Sequence, residues 1–145
     1  MVTYTLQHIF LMNWLVLYEE IKEEQQLHNL LFLLQLGALS SLNEITKAGF
    51  GDFMRVSEGV RSFLLNDVLK ELQDNKLIDD FTITPHGKEV FREMSSLLLY
   101  DKLYKGCLPI SERYQNNMTL IEKDIFNVIP VKRAKIGETI FPEWL

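Results

Sequence analysis

The stretch Leu69-Lys-Glu-Leu72-Gln-Asp-Asn-Lys76-Leu-Ile78-Asp-Asp80-Phe-Thr-Ile83-Thr-Pro85-His-Gly-Lys88 decides how this chain is read. Leu69 and Leu72 close an amphipathic helix, and Leu77 and Ile78 leave it. Asp79 and Asp80 make a tight polar turn, and Phe81-Thr-Ile83 alternates as a short strand does. Thr84-Pro85 then sets a capping hydroxyl before a proline at the first helical position. Working upstream, Ser57 opens the amphipathic helix, which the spacing predicts to about Asn75. Val60, Phe63, Leu64, Val68 and Leu72 lie on one side of it, and Arg61, Asp67, Lys70, Glu71 and Asp74 on the other. Downstream, a long helix is predicted to about Lys105.

Further out, Ser41-Leu-Asn-Glu44 has capping-box spacing and Gly49 a stop signal, which predicts a short helix between them. Gln25 to Leu36 is apolar on nearly every side and is expected to be the central helix, because such a helix has to be covered all round. Leu6 to Glu24 is predicted as a first helix ending in the acidic run Glu19, Glu20, Glu23 and Glu24. Helix, short helix, long amphipathic helix, strand pair, helix is the order of a helix-turn-helix with a small sheet.

Leu69-Lys-Glu-Leu72, Lys76-Leu-Ile78 and Thr82-Ile-Thr-Pro-His-Gly-Lys88 resemble the "L..L...GLI … y.lT..G" run of the winged-helix families of the PadR, MarR and Panacea type, over about Gln25 to Met94. The expected fold is mainly α, a winged helix with a minimal β-hairpin wing plus N-terminal and C-terminal helices. Leu30, Leu34, Phe63, Leu64, Val68, Leu72, Ile78 and Phe91 are expected in one core. The resemblance also implies a helix, 57–76, that reads DNA. Two features depart from those families. Only Asp79 and Asp80 separate the two strands, which leaves almost no wing. The helix 57–76 carries Arg61, Lys70 and Lys76 against Glu58, Asp67, Glu71 and Asp74, so carboxylates outnumber cations on the element that would approach phosphates.

The 145 residues are 47% hydrophobic and 24% charged with a formal net charge of −5, the make-up of one ordinary globular domain with appendages. A composition shift near Gly106 divides the expected domain, 1–106, from a C-terminal extension, 107–145. A sequence pI near 5.2 argues against nonspecific attraction to nucleic acid or to an anionic membrane. The apolar run Ile9 to Tyr18 is short for a span, which needs about 20 residues. Met1 to Gln7 lacks the basic opening of a signal peptide, and Cys107 is the single cysteine, so a reducing cytosol is the expected location.

Catalytic chemistry finds little support. His8, His28 and His86 lack metal-ligand spacing, and Gly49-Phe-Gly51 lacks the Lys and Ser/Thr of a phosphate loop. Cys107 has no nearby histidine to activate it, and the glutamates from Glu19 to Glu24 read as a solvated face. No enzyme activity, metal, cofactor or small-molecule substrate is expected.

The apolar surplus says more. The first helix and the last long one, Val90 through Tyr104, offer more apolar surface than a core of this size covers, which points either to an interface with another protein or a second copy or, equally, to the two helices packing on each other. Asn13, set among apolar neighbours, is of the kind that fixes register in a helix pair. The tail predicts a helix over about 119–129, opened by Thr119-Leu-Ile-Glu122 and ended by Pro130, then the basic cluster Lys132, Arg133 and Lys135. Phe141, Trp144 and Leu145 end the chain and, with Trp14 and Tyr100, are the expected interface anchors. Two functions compete. The favoured one is a non-catalytic winged-helix accessory subunit that binds proteins within a nucleic-acid-handling or defence complex. The alternative is a dimeric DNA-binding transcriptional regulator or antitoxin touching DNA through Ser57, Arg61, Lys70, Lys132, Arg133 and Lys135.

Overall fold

The computed structural model describes residues 4–38 and 48–140, so the predicted helix at Ser41–Glu44 and the side chains of Phe141, Trp144 and Leu145 lie outside the described residues. Among the described residues the chain is mainly α-helical with two small antiparallel hairpins. In order these are α1 (Leu6–Leu17), α2 (Glu24–Ala38), β1 (Phe53–Val56), β2 (Gly59–Ser62), α3 (Phe63–Asp74), β3 (Ile78–Asp79), β4 (Thr82–Ile83) and α4 (Pro85–Met94). A 3-10 segment (Ser95–Tyr100) leads into α5 (Lys102–Tyr114), α6 (Thr119–Ile125) and α7 (Ile129–Arg133).

Two helices form the centre. In α2, Leu27 and the run Leu30 to Leu34 are buried, as its all-round apolar pattern requires. Against it lie α5 and α6, with the β1–β2 hairpin across one end. The close approach of α5 depends on Gly106, where an added Cβ would lie only 3.0 Å from the Ala38 methyl and 3.1 Å from the Ala38 carbonyl oxygen. The second central helix is α1, where Ile9, Phe10, Leu11, Met12, Trp14 and Leu15 are all buried. It packs on α3, α4, β4 and the 3-10 segment, so the two terminal helical regions cover one another. It starts where Thr5 donates its backbone N–H to His8 Nδ1 at 3.0 Å, and His8 Nε2 meets Glu71 on α3 at 2.7 Å. It stops at Leu17, not Glu24: Tyr18 leaves helical geometry at φ −111° and ψ 72°, and Tyr18 and Ile21 are both buried beyond the helix end.

The segment from Phe50 to Ser62 departs most from expectation. Ser57 does not open a helix; it sits in the two-residue turn joining β1 to β2, whose register pairs Phe53 with Ser62 and Val56 with Gly59. The N-cap of α3 is Ser62, whose hydroxyl accepts the Leu65 N–H at 3.0 Å while Asp52 accepts the Leu64 N–H at 3.0 Å. The helix therefore runs from Phe63 to Asp74 instead of 57–76. Its buried face is Leu65, Val68, Leu69 and Leu72, at spacings of three and four, and Phe63, expected in the core, lies on the opposite side of the helix from Leu72 and is 56% exposed. Leu30, Leu34, Val68, Leu72 and Ile78 are buried as expected, and Leu64 and Phe91 are partly buried.

A hairpin this small needs partners on both edges. On the β1 edge residues 137–140 add a short antiparallel stretch. The Arg55 N–H donates to Glu138 O at 2.8 Å, the Gly137 N–H to Arg55 O at 2.8 Å, and the Ile140 N–H to Phe53 O at 2.7 Å. On the β2 side the partners are side chains of α2. Asn29 Oδ1 accepts the Val60 N–H at 3.0 Å, its Nδ2 donates to Glu58 O at 3.0 Å, and Gln25 donates to Val60 O at 2.7 Å. His28 Nδ1 accepts the Ser62 N–H at 3.0 Å. Two turns further along α2, Gln35 makes two hydrogen bonds, at 2.7 and 2.8 Å, to the backbone of Phe50 ahead of β1. These α2 side chains satisfy backbone groups that would otherwise be buried unpaired.

The decisive stretch folds largely as its residues predict. Ile78 pairs with Ile83 and Asp79 with Thr82 around the Asp80-Phe81 turn. Thr84 caps α4 by accepting the Gly87 N–H at 3.0 Å, with Pro85 in its first turn. Downstream, the long helix to Lys105 is broken: α4 ends at Met94, and Asp101 starts α5 by accepting the Tyr104 N–H at 2.9 Å. The division at 106 falls inside α5, and residues beyond it, Cys107, Tyr114, Ile121, Ile125 and Val131, join the same hydrophobic core. The predicted helix 119–129 is two helices, α6 ending at Ile125 and α7 with Pro130 in its first turn, so that proline opens a helix instead of closing one. Thr119 lies within α6 and Met118 takes the N-cap position, without a side-chain capping bond.

Candidate protein interface

Several polar residues that could carry chemistry hold the fold together. His28 is fully buried, and its Nδ1 is taken by the Ser62 N–H, which fixes the ring proton on Nε2 facing Asn66 Oδ1 at 2.8 Å. Burial pulls its pKa below the ordinary value, outweighing the opposing pull of the Asn66 bond and of Glu24 at 3.5 Å, while Arg61 adds to the lowering. Cys107 donates to Leu34 O at 3.4 Å, and burial pushes its thiol up to about 12, which keeps it protonated and unreactive. Arg113 grips Asp124 through two bonds of 2.7 and 3.1 Å, and the Tyr114 hydroxyl donates to the same carboxylate at 2.8 Å, tying α5 to α6. Among the described residues no three His, Cys, Asp or Glu side chains gather as a metal-ligand set, and no helix is long and apolar enough to cross a membrane.

The His28 arrangement has a measurable consequence. Its folded pKa lies below the unfolded value of about 6.5, so its contribution to stability is complete above that pH. It is lost as pH falls from there through the folded pKa, because the unfolded chain takes up the proton first. A ring still neutral at the pH where a free imidazole takes up its proton, seen in an NMR titration, with denaturant stability declining as pH falls from there, is expected. Titration of His28 at or above its ordinary pKa would contradict this account.

The surface also carries large apolar side chains. Trp14 and Tyr104 stack with ring centroids 5.8 Å apart, Tyr104 Oη reaches Asn13 Oδ1 at 3.4 Å, and the Tyr18 hydroxyl donates to Ser111 O. These three contacts bring the C-terminal end of α1, and Tyr18 just beyond it, against Tyr104 and Ser111 of α5. One turn beyond Asn13 and Tyr104 come Leu17 and Leu108, both exposed. One turn before Tyr104, at the junction of the 3-10 segment and α5, Tyr100 is 87% exposed. In the 3-10 segment Leu98 points inward, leaving Leu97 and Leu99 48% and 57% exposed. Val16, at the other edge of α1, is also exposed and lines a shallow groove with Phe81 and Ile83. Large exposed side chains grouped on adjoining elements form the kind of patch that marks a binding surface.

Of the anchors expected from sequence, Tyr100 stands on this surface, whereas Trp14 does not. It is wholly buried among Phe10, Tyr18 and Tyr104 and cannot be an interface residue in this fold. Leu17, Leu97 and Leu99 belong to the two helices whose apolar surplus points to an interface, whereas Leu108 is not among the anchors read from sequence. The run Leu97-Leu-Leu99 held the signal, since three consecutive residues cannot all face one core.

The residues assigned to DNA are dispersed. Ser57 lines a groove with Glu20, Glu23, Glu58 and Glu122, an acidic setting. Arg61 is half-buried on β2 with Nε lacking a partner among the described residues. Lys70 is exposed on α3, where Asp67, Glu71 and Asp74 are exposed too. Lys132, Arg133 and Lys135 do come together, exposed at the end of α7. Comparison with protein-family models, with curated proteins and with solved structures finds no match to this chain.

Proposed function

We propose that the chain is a non-catalytic, mainly helical accessory subunit that acts by binding protein through the surface formed by the end of α1, the 3-10 segment and α5. The observation that carries this reading is Tyr100, a large aromatic side chain almost fully in water, with Leu97 and Leu99 exposed in the same segment and Leu17 and Leu108 exposed on α1 and α5. Aromatic side chains dominate interface energetics, and single exposed leucines are common while such a grouping is not. The finer fold reading, a winged helix over Gln25 to Met94, draws support from the order α2, α3, β3–β4, α4 and from the minimal hairpin. The β1–β2 hairpin is then an addition between the second and third helices. DNA reading by α3 gains no support from an exposed face on which three carboxylates outnumber Lys70.

The test is photocrosslinking in cells with benzoylphenylalanine in place of Tyr100. A protein adduct is expected there and not at Ser96, an exposed position in the same segment chosen as the control. No adduct at position 100 above the control would overturn the reading.

A further inference from the structure

We infer that the occupant of this surface is a second copy of the chain, docked through an antiparallel contact of α5 with α5 of the other copy, centred on Leu108. This rests on the protein-binding reading above and names its partner. Lys105, Leu108 and Glu112 are all exposed, and spacings of three and four place them on one face of α5 with the leucine between the two charges. A two-fold axis at Leu108 sets Lys105 of each copy against Glu112 of the other, so the face is its own charge complement. Among the described residues neither Lys105 nor Glu112 has an ion-pair partner, which leaves both charges available to the other copy. Tyr100, about two turns before Leu108, then lies across the far end of the opposite α5, and Leu17 and Tyr104 flank the contact on the α1 side.

The size of the patch is consistent with a weak dimer. A tyrosine buries on the order of 150 Å² or more, and the partly exposed leucines around it bring the patch to several hundred Å², somewhat under the roughly 800 Å² a side of a standard stable interface. Area alone does not set affinity, but with one aromatic anchor and two solvent-screened ion pairs a weak association, with a dissociation constant of about 1 to 100 μM, is expected.

Sedimentation equilibrium of the full chain across that range is expected to show reversible conversion between the 17.0 kDa chain and twice that mass. Lys105→Glu or Glu112→Lys alone turns both reciprocal attractions into repulsions and is expected to weaken the dimer about tenfold. The double exchange restores it, because each pair is re-formed with its signs reversed. A dimer indifferent to both single exchanges, or not restored by the double one, overturns the α5 contact. A chain that remains monomeric throughout overturns the second copy as occupant. If the Tyr100 photocrosslink then gives an adduct with a different protein, the protein-binding reading stands without the dimer; if it gives none, both fall.

Discussion

Replacing Trp14 with alanine is expected to remove about 3 to 5 kcal/mol of stability, a large part of what a domain of this size possesses. The indole is fully buried, with Phe10, Tyr18 and Tyr104 rings at 5.6, 6.5 and 5.8 Å, so its removal leaves a cavity spanning α1 and α5 that neither helix can close by itself. The drop in melting temperature should be about 10 °C or more. Trp14→Phe separates ring packing from the N–H. Because Nε1 has no partner among the described residues, phenylalanine gives up no protein hydrogen bond and recovers most of the loss. Tyr100→Ala, by contrast, should stay within about 0.5 kcal/mol of the parent, since its ring leaves water only against a partner. Denaturant titrations of the three variants check this. A Trp14→Ala protein as stable as the parent would mean that the indole is not in the core.

The same pair of residues shows how far the sequence could be read. Both looked like aromatic surplus on terminal helices, and no periodicity distinguishes an aromatic residue covered by another helix from one covered by a partner. The assignment of α2 as the central helix needed only its composition, and the β3–β4 turn needed only Asp79, Asp80 and the alternation that follows. The β1–β2 hairpin was hidden for a physical reason. Its strands are four residues long, and half of its support comes from Gln25, His28 and Asn29 on a helix about thirty residues earlier, a dependence no local pattern carries. Ser57 and Ser62 are equally good capping residues in isolation. The choice between them is made by Gly59, whose φ of +139° and contact with Asn29 require a turn just where a helix beginning at Ser57 would have its first residues.

Gly87→Ala is expected to destabilise the protein by about 3 kcal/mol, although the same change inside an ordinary helix stabilises by roughly 1 kcal/mol. Gly87 stands in the first turn of α4, where a Cβ would come within 2.0 Å of the Leu77 carbonyl oxygen and 3.0 Å of the Ile83 side chain. That oxygen is not free to move, because it accepts the Thr84 N–H at 3.0 Å and so holds the strand after the hairpin against the one before it. Thr84 is committed as well, since its hydroxyl donates to Lys76 O at 2.6 Å and accepts the Gly87 N–H at 3.0 Å. A methyl group must therefore push α4 away from β3, breaking the cap and the Leu77 bond together, and the hydrogen bonds lost add to the cost of overpacking. The Thr84-Pro-His-Gly87 spelling is thus explained by packing: the hydroxyl caps, the proline starts the helix, and the glycine lets it cross the hairpin at backbone contact distance. Gly51→Ala is the control, as no atom lies within 4 Å of its added Cβ and stability should be almost unchanged. Thermal denaturation of the two variants beside the parent decides the matter. Equal stability of Gly87→Ala and Gly51→Ala would show that α4 does not cross the hairpin at this distance in solution.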